Sequence, residues 1–148
     1  MSKTALDRLG ERLVRHGQIP EDDIETFTAV ADAYQDALEQ VAQCLAELGY
    51  AASTRIKTTG VLIEKLRRES CRLSQVQDLA GARIVLSDRR RQDEAVNRIK
   101  KTFDRICAKP CKVRDRRVDP SHGYRAVHVI VFLDGIPVEI QVRTELQD

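Results

Sequence analysis

Two carboxylates and a set of cations carry the chemistry available to this sequence. Arg55 and Lys57 alternate on a short β-prone segment, Ser53-Thr54-Arg55-Ile56-Lys57, directly before a helix. The first amides of that helix, at Thr59 and Gly60, point where a phosphate could sit. Lys65 lies on the same helix, whereas Arg67 and Arg68 at its far end suit the helix dipole. Asp78 sits just before a β-rich run, Ala82 to Leu86, and Glu139 lies on a C-terminal run. Two carboxylates from separate strands, set among Arg and Lys, suit Mg²⁺ shared with nucleotide phosphates. Magnesium takes few protein carboxylates and keeps its other positions for phosphate and water. Spacing alone does not bring Asp78 and Glu139 together.

The C-terminal runs, Val127 to Leu133 and Ile136 to Arg143, flank Asp134-Gly135. That dipeptide favours a two-residue hairpin turn, which fixes the register: 133 faces 136, 131 faces 138, 130 faces 139 and 128 faces 141. Period-two alternation then places Val127, Val129, Val131, Val138, Ile140 and Val142 on one face. The other face carries His128, Glu139, Gln141 and Arg143 beside Ile130 and Phe132. An imidazole, a carboxylate, an amide and a guanidinium on one face make either a site or a solvated sheet surface.

The rest of the chain must position these groups. Leu6, Leu9 and Leu13 fall at helical spacing, and Gly17 with Pro20 interrupts that run. Ile24, Phe27, Val30, Tyr34, Leu38, Val41, Leu45 and Leu48 then form one apolar stripe on a helix of about seven turns, ended by Gly49. Thr58-Thr59 caps the next helix, which reaches about Glu69. Ser87-Asp88 caps another, with Val96, Ile99, Phe103 and Ile106 in its apolar phase and Pro110 as its stop. A charged strand is expected over Cys111 to Arg117. Residues 1–49 form a helical segment and residues 50–148 one compact unit. The expected class is α/β (α+β), a mixed sheet flanked by helices.

A length of 148 residues fits one domain, and the hydrophobic and charged fractions of 42% and 32% describe an ordinary globular chain. The net charge of +2 hides a division. Residues 1–54 carry 4 basic and 10 acidic side chains, a net of −6, and residues 55–148 carry 21 and 13, a net of +8. A nucleotide or polyanion is drawn to the second part. Arg89, Arg90 and Arg91 stand in a first helical turn, where positive charge opposes the dipole. Cys44, Cys71, Cys107 and Cys111 are too scattered for a zinc ribbon and read as free thiols. With no apolar run of membrane-spanning length and no signal-peptide pattern, the expected location is cytoplasmic, with no membrane partner.

Five motifs occur in order: Arg55-Ile56-Lys57-Thr58, Leu62-Ile63-Glu64-Lys65-Leu66, Asp78-Leu79-Ala80-Gly81-Ala82-Arg83, Gly123-Tyr124-Arg125-Ala126-Val127-His128 and Glu139-Ile140-Gln141-Val142-Arg143-Thr144. Together, over about residues 50–148, they resemble the synthetase domain of the RelA/SpoT family in its short form, the small alarmone synthetases. The resemblance implies a nucleotidyltransferase-like fold. It also implies an ATP-dependent pyrophosphokinase that moves the β,γ-pyrophosphate of ATP to the 3′-hydroxyl of GDP or GTP. Motif by motif, Arg55 and Arg83 would sandwich adenine, and Lys57 and Lys65 would contact the ATP phosphates. Asp78 would hold Mg²⁺, and Glu139 would share it or take the hydroxyl proton. Tyr124 would stack on the acceptor base, with His128 and Gln141 lining that side. Some relatives instead pyrophosphorylate the 3′ end of transfer RNA, with an antitoxin as partner, or make adenosine alarmones. Members usually continue past the position of Asp148 into helices that support oligomerisation in some of them. A chain ending before those helices also fits a non-catalytic nucleotide- or RNA-binding module.

Overall fold

A turn of two residues organises the sheet. Asp134 and Gly135 both adopt positive φ, 51° and 80°, the combination that matches the twist of paired strands. They join β4 (Val127–Leu133) to β5 (Ile136–Thr144), with Val131 opposite Val138 and His128 opposite Gln141, in the register expected from the turn. The computed structural model describes residues 1–15, 18–118 and 125–148. The remaining elements are α1 (Lys3–Leu13), α2 (Glu21–Glu47), β1 (Ser53–Ile56), α3 (Thr59–Glu69), a 3₁₀ turn (Leu73–Gln75), β2 (Ala80–Leu86), α4 (Arg89–Ile106) and β3 (Lys112–Asp115). The strands form one mixed sheet in the order β1-β2-β5-β4-β3; among the described residues only β2 and β5 run parallel.

One face of the sheet is covered. Val127, Val129, Val131, Val138, Ile140 and Val142 are each exposed by 1% or less. They share a single core with Leu38, Val41 and Leu45 of α2 and Ile99 and Phe103 of α4. Leu9 and Leu13 of α1 and Leu62 and Leu66 of α3 join the same core. The N-terminal helices and the sheet therefore share apolar packing.

Local chemistry explains the helix ends. Ser2, Thr58 and Asp88 each accept a backbone N–H at the N-cap, from Ala5, Val61 and Arg91. The α2 stripe is buried from Phe27 to Leu45; at its ends Ile24 is 50% exposed and Leu48, just past the helix, is half-buried. Arg67, a cation in the last turn of α3, also reaches beyond its own helix. Its Nε and Nη2 donate to the carbonyls of Val14 and Arg15 at 3.0 and 3.2 Å, tying α3 to the end of α1. Gly10 lets α1 lie on the 3₁₀ turn, since a Cβ there would come within 2.7 Å of Leu73 Cβ.

Three boundaries differ from the pattern. β2 begins at Ala80 rather than Ala82, because Ile56 and Arg55 of β1 pair with Ala80 and Gly81. α4 ends at Ile106, before Pro110: Cys107 is extended, and the Asp104 carboxylate accepts the Cys111 N–H at 2.7 Å, turning the chain. β3 is limited to four residues by its pairing with β4.

Candidate functional site

The parallel β2–β5 pairing brings the two carboxylates together. Gly81 lies opposite Glu139 on one side and opposite Arg55 on the other; Arg83 lies opposite Gln141, which lies opposite His128. Directly paired residues point to the same face. The face away from the core therefore carries Arg55, Arg83, Glu139, Gln141, Arg143 and His128. A cavity of about 220 Å³ opens there, lined by Ser53, Thr54 and Arg55 from β1, Asp78 and Gly81 to Arg83 around β2, and Glu139 and Gln141 from β5.

Asp78 is held between two ammonium groups. Lys65 Nζ donates to Oδ1 at 2.9 Å, and Lys57 Nζ pairs with Oδ2. Burial pushes the Asp78 carboxyl up, but the two lysines outweigh it and hold it below the ordinary aspartate range. Lys65 responds in the opposite sense: burial lowers it, and the bond and charge of Asp78 raise it above the ordinary lysine value. A phosphate entering here meets two cations that are already in place.

Glu139 is 9% exposed. Gln141 Nε2 donates to its Oε1 at 3.0 Å, and His128 Nδ1 stands 3.6 Å from its Oε2. Burial and the charge of Asp78 push the Glu139 carboxyl up. The neighbouring His128 imidazole and the hydrogen bond from Gln141 outweigh them and hold it below the ordinary glutamate range. Both carboxylates are thus ionised at neutral pH.

Of the residues singled out from the sequence, Arg55, Asp78, Arg83, Glu139 and Gln141 line the cavity. Lys57 and Lys65 join it through Asp78, and His128 through Glu139. Tyr124 lies outside the described residues. Arg83 also stands 3.5 Å from the Asp148 carboxylate; both side chains are about half exposed, so the pair adds little stability. Sequence reasoning missed a polar line behind Glu139. Arg143 Nε and Nη2 donate to Gln141 Oε1 at 3.3 and 3.0 Å, and its Nη1 to the Gln147 carbonyl at 3.2 Å. Gln147 Oε1 in turn accepts from Gln92 Nε2 at 2.7 Å. A signal was present: Gln92 falls in the apolar phase of α4 with Ala95, Ile99 and Phe103, and is 0% exposed.

Two carboxylates on one cavity wall fit an ion that takes its remaining ligands from phosphate and water. They do not make a protein-only cage, and among the described residues no group of three or more His, Cys, Asp or Glu is placed to hold a metal. The four cysteines are free thiols, and no helix of the described residues is long and apolar enough to cross a membrane.

A five-stranded mixed sheet with helices on its apolar face and a cationic, two-carboxylate opposite face is a nucleotidyltransferase-like fold. The chain belongs to the RelA/SpoT family: residues 54–148 match the model described as the region found in RelA / SpoT proteins. An uncharacterized protein of Mycobacterium tuberculosis is 33% identical over 156 residues, covering 99% of this chain and 55% of that protein. A probable chloroplastic GTP diphosphokinase of Oryza sativa is 26% identical over 98 residues, covering 65% of this chain and 13% of that protein. The small alarmone synthetase 1 from Bacillus subtilis, solved bound to its product pppGpp, superposes with a TM-score of 0.63 at 23% identity, covering 83% of this chain and 74% of that one. At that identity the likeness concerns the fold. The chain spans about half the length of the mycobacterial relatives that it matches.

Proposed function

We propose that the cavity between β1, β2 and β5 is the reaction centre of a GTP/GDP pyrophosphokinase, an ATP:nucleotide 3′-pyrophosphotransferase making (p)ppGpp. The supporting observation is the convergence of Asp78 and Glu139 on one cavity wall, with Arg55 and Arg83 beside them and Lys57 and Lys65 bound to Asp78.

Arg55 and Arg83 stack on the adenine of ATP, since guanidinium planes stay charged and pack on π-faces. Lys57 and Lys65 turn from Asp78 to the ATP phosphates. The acceptor base rests on Tyr124, with His128 and Gln141 lining its side. The acceptor 3′-oxygen bonds to the β-phosphorus as the bond from that phosphorus to the α–β bridging oxygen breaks. AMP leaves with that electron pair, and the hydroxyl proton passes toward Glu139. A loose phosphoryl-transfer transition state asks little of the base. An ionised Glu139 of lowered proton affinity is therefore adequate, and positioning and charge supply most of the rate. Asp78 and Glu139 would also hold Mg²⁺, which supplies neutralisation of phosphate charge. ATP and guanine nucleotides as substrates agree with a cytoplasmic protein.

Incubating the chain with γ-labelled ATP, Mg²⁺ and GDP, GTP, AMP or transfer RNA tests this reading. Label on GDP or GTP is the expected outcome. Label on AMP or on intact transfer RNA would move the chain to the adenosine-alarmone or toxin-type relatives. Nucleotide binding by calorimetry with no product from any acceptor would make it a binding module.

A further inference from the structure

We infer that Arg143 is a positioning residue that sets the direction of the Gln141 amide and, through it, the hydrogen bond that holds Glu139 Oε1; this deepens the reading above and rests on it. A guanidinium has five donors and no acceptor. Two of them, Nε and Nη2, meet Gln141 Oε1 at 3.3 and 3.0 Å. The oxygen of that amide must face Arg143, so its Nε2 must face Glu139 Oε1, at 3.0 Å. A reversed amide would set oxygen against carboxylate on one side and N–H against guanidinium on the other. Residues 139, 141 and 143 alternate along β5, so their side chains follow one another on the same face.

Arg143 is itself fixed. It is 9% exposed, and its Nη1 donates to the Gln147 carbonyl at 3.2 Å. Gln147 Oε1 accepts from the Thr144 N–H at 3.2 Å and from Gln92 Nε2 at 2.7 Å. Gln92 Nε2 also donates to the Val142 carbonyl at 2.9 Å, and its Oε1 accepts from Arg117 Nη1 at 3.2 Å. A second donor-only guanidinium thus fixes the second amide; Gln92 and Arg143 both donate to Gln147, and from Arg143 the donors run through Gln141 to Glu139. At that end Oε1 of Glu139 is occupied by Gln141.

The test pairs Arg143→Lys, which keeps a donor-only head, with Arg143→Met, which keeps length and loses the donor. The Gln141 side-chain amide is followed by ¹H–¹⁵N NMR, a readout that needs no turnover, alongside kcat and KM of pyrophosphotransfer. R143M should shift and broaden the Gln141 amide resonance, because its oxygen loses the donors that fix it. It should lower kcat about 10- to 100-fold, as loss of an orienting partner does, with the ATP dissociation constant within about twofold. R143K should stay within about threefold of wild type. Gln141→Met combined with R143M should be no worse than R143M alone, since both cut one line. Should R143M lose its fold by circular dichroism, Q141M serves instead: kcat falls over the same range, and adding R143K changes nothing further. A folded R143M with the wild-type Gln141 resonance overturns the inference, as does equal loss in R143K and R143M. If wild type makes no product with any acceptor, the functional reading falls, while the amide resonance still decides the role of Arg143.

Discussion

The two faces of the β4–β5 hairpin are built from the same strands and obey different rules. The covered face carries Val127, Val129, Val131, Val138, Ile140 and Val142 and is held by volume and apolar contact alone. The open face carries His128, Glu139, Gln141 and Arg143, and each bond there has a donor, an acceptor and a direction. Apolar packing tolerates exchange of one aliphatic group for another of similar volume. The open face does not, because a single reversed amide leaves two groups facing their like. The comparison predicts that damage to the covered face appears as lost stability and damage to the open face as lost chemistry.

The largest expected effect falls on the open face. Glu139→Gln should lower pyrophosphotransfer by about 10³-fold, within the range for loss of a positioned base, and leave ATP binding and the fold largely intact. Turnover surviving this change would remove Glu139 from the mechanism. On the covered face, Ile140→Ala should cost about 3 kcal/mol of stability, read from the denaturant midpoint. Below that midpoint, activity per folded molecule should be preserved, and loss of rate without loss of stability would erase the distinction between the faces.

Acid sharpens the same contrast. Asp78 and Glu139 are both held below their ordinary ranges, so the folded state binds protons less readily than the unfolded one. The stability they contribute is whole above the unfolded values of about 4 and is lost as pH falls through the lower folded values. The double variant Asp78→Asn with Glu139→Gln should flatten that part of the curve of melting temperature against pH, whereas Ile140→Ala should lower the curve without changing its shape. The smallest effect is expected at Asp148→Asn. Its ion pair with Arg83 is half exposed, so stability should change by less than about 0.5 kcal/mol.

These faces also differ in how far they could be read from the residues. The hairpin, its register and the alternation were legible because a two-residue turn with positive φ at both positions leaves one solution. The helices were legible from their period, although Ile24 keeps the phase of α2 and lies beyond the surface that the sheet covers. The meeting of Asp78 and Glu139 was not legible. It depends on a parallel pairing of β2 with β5, two strands separated in sequence by α4, β3 and β4. The five ordered motifs named the family, and the geometry behind them came only with the sheet order. Arg67 shows the same limit: a cation in a last helical turn reads as a dipole partner, yet it caps the carbonyls of another helix.

The strand order has one more consequence. The sheet ends at β1 and β3, each four residues long, the shortest strands among the described residues. Arg55 stands on one and Lys112 and Arg114 on the other. A second copy approaching either margin finds little backbone to pair with and at least one cation, which opposes edge-to-edge association of neighbouring sheets. Arg55, which lines the cavity at one margin, thus also discourages another strand from pairing there.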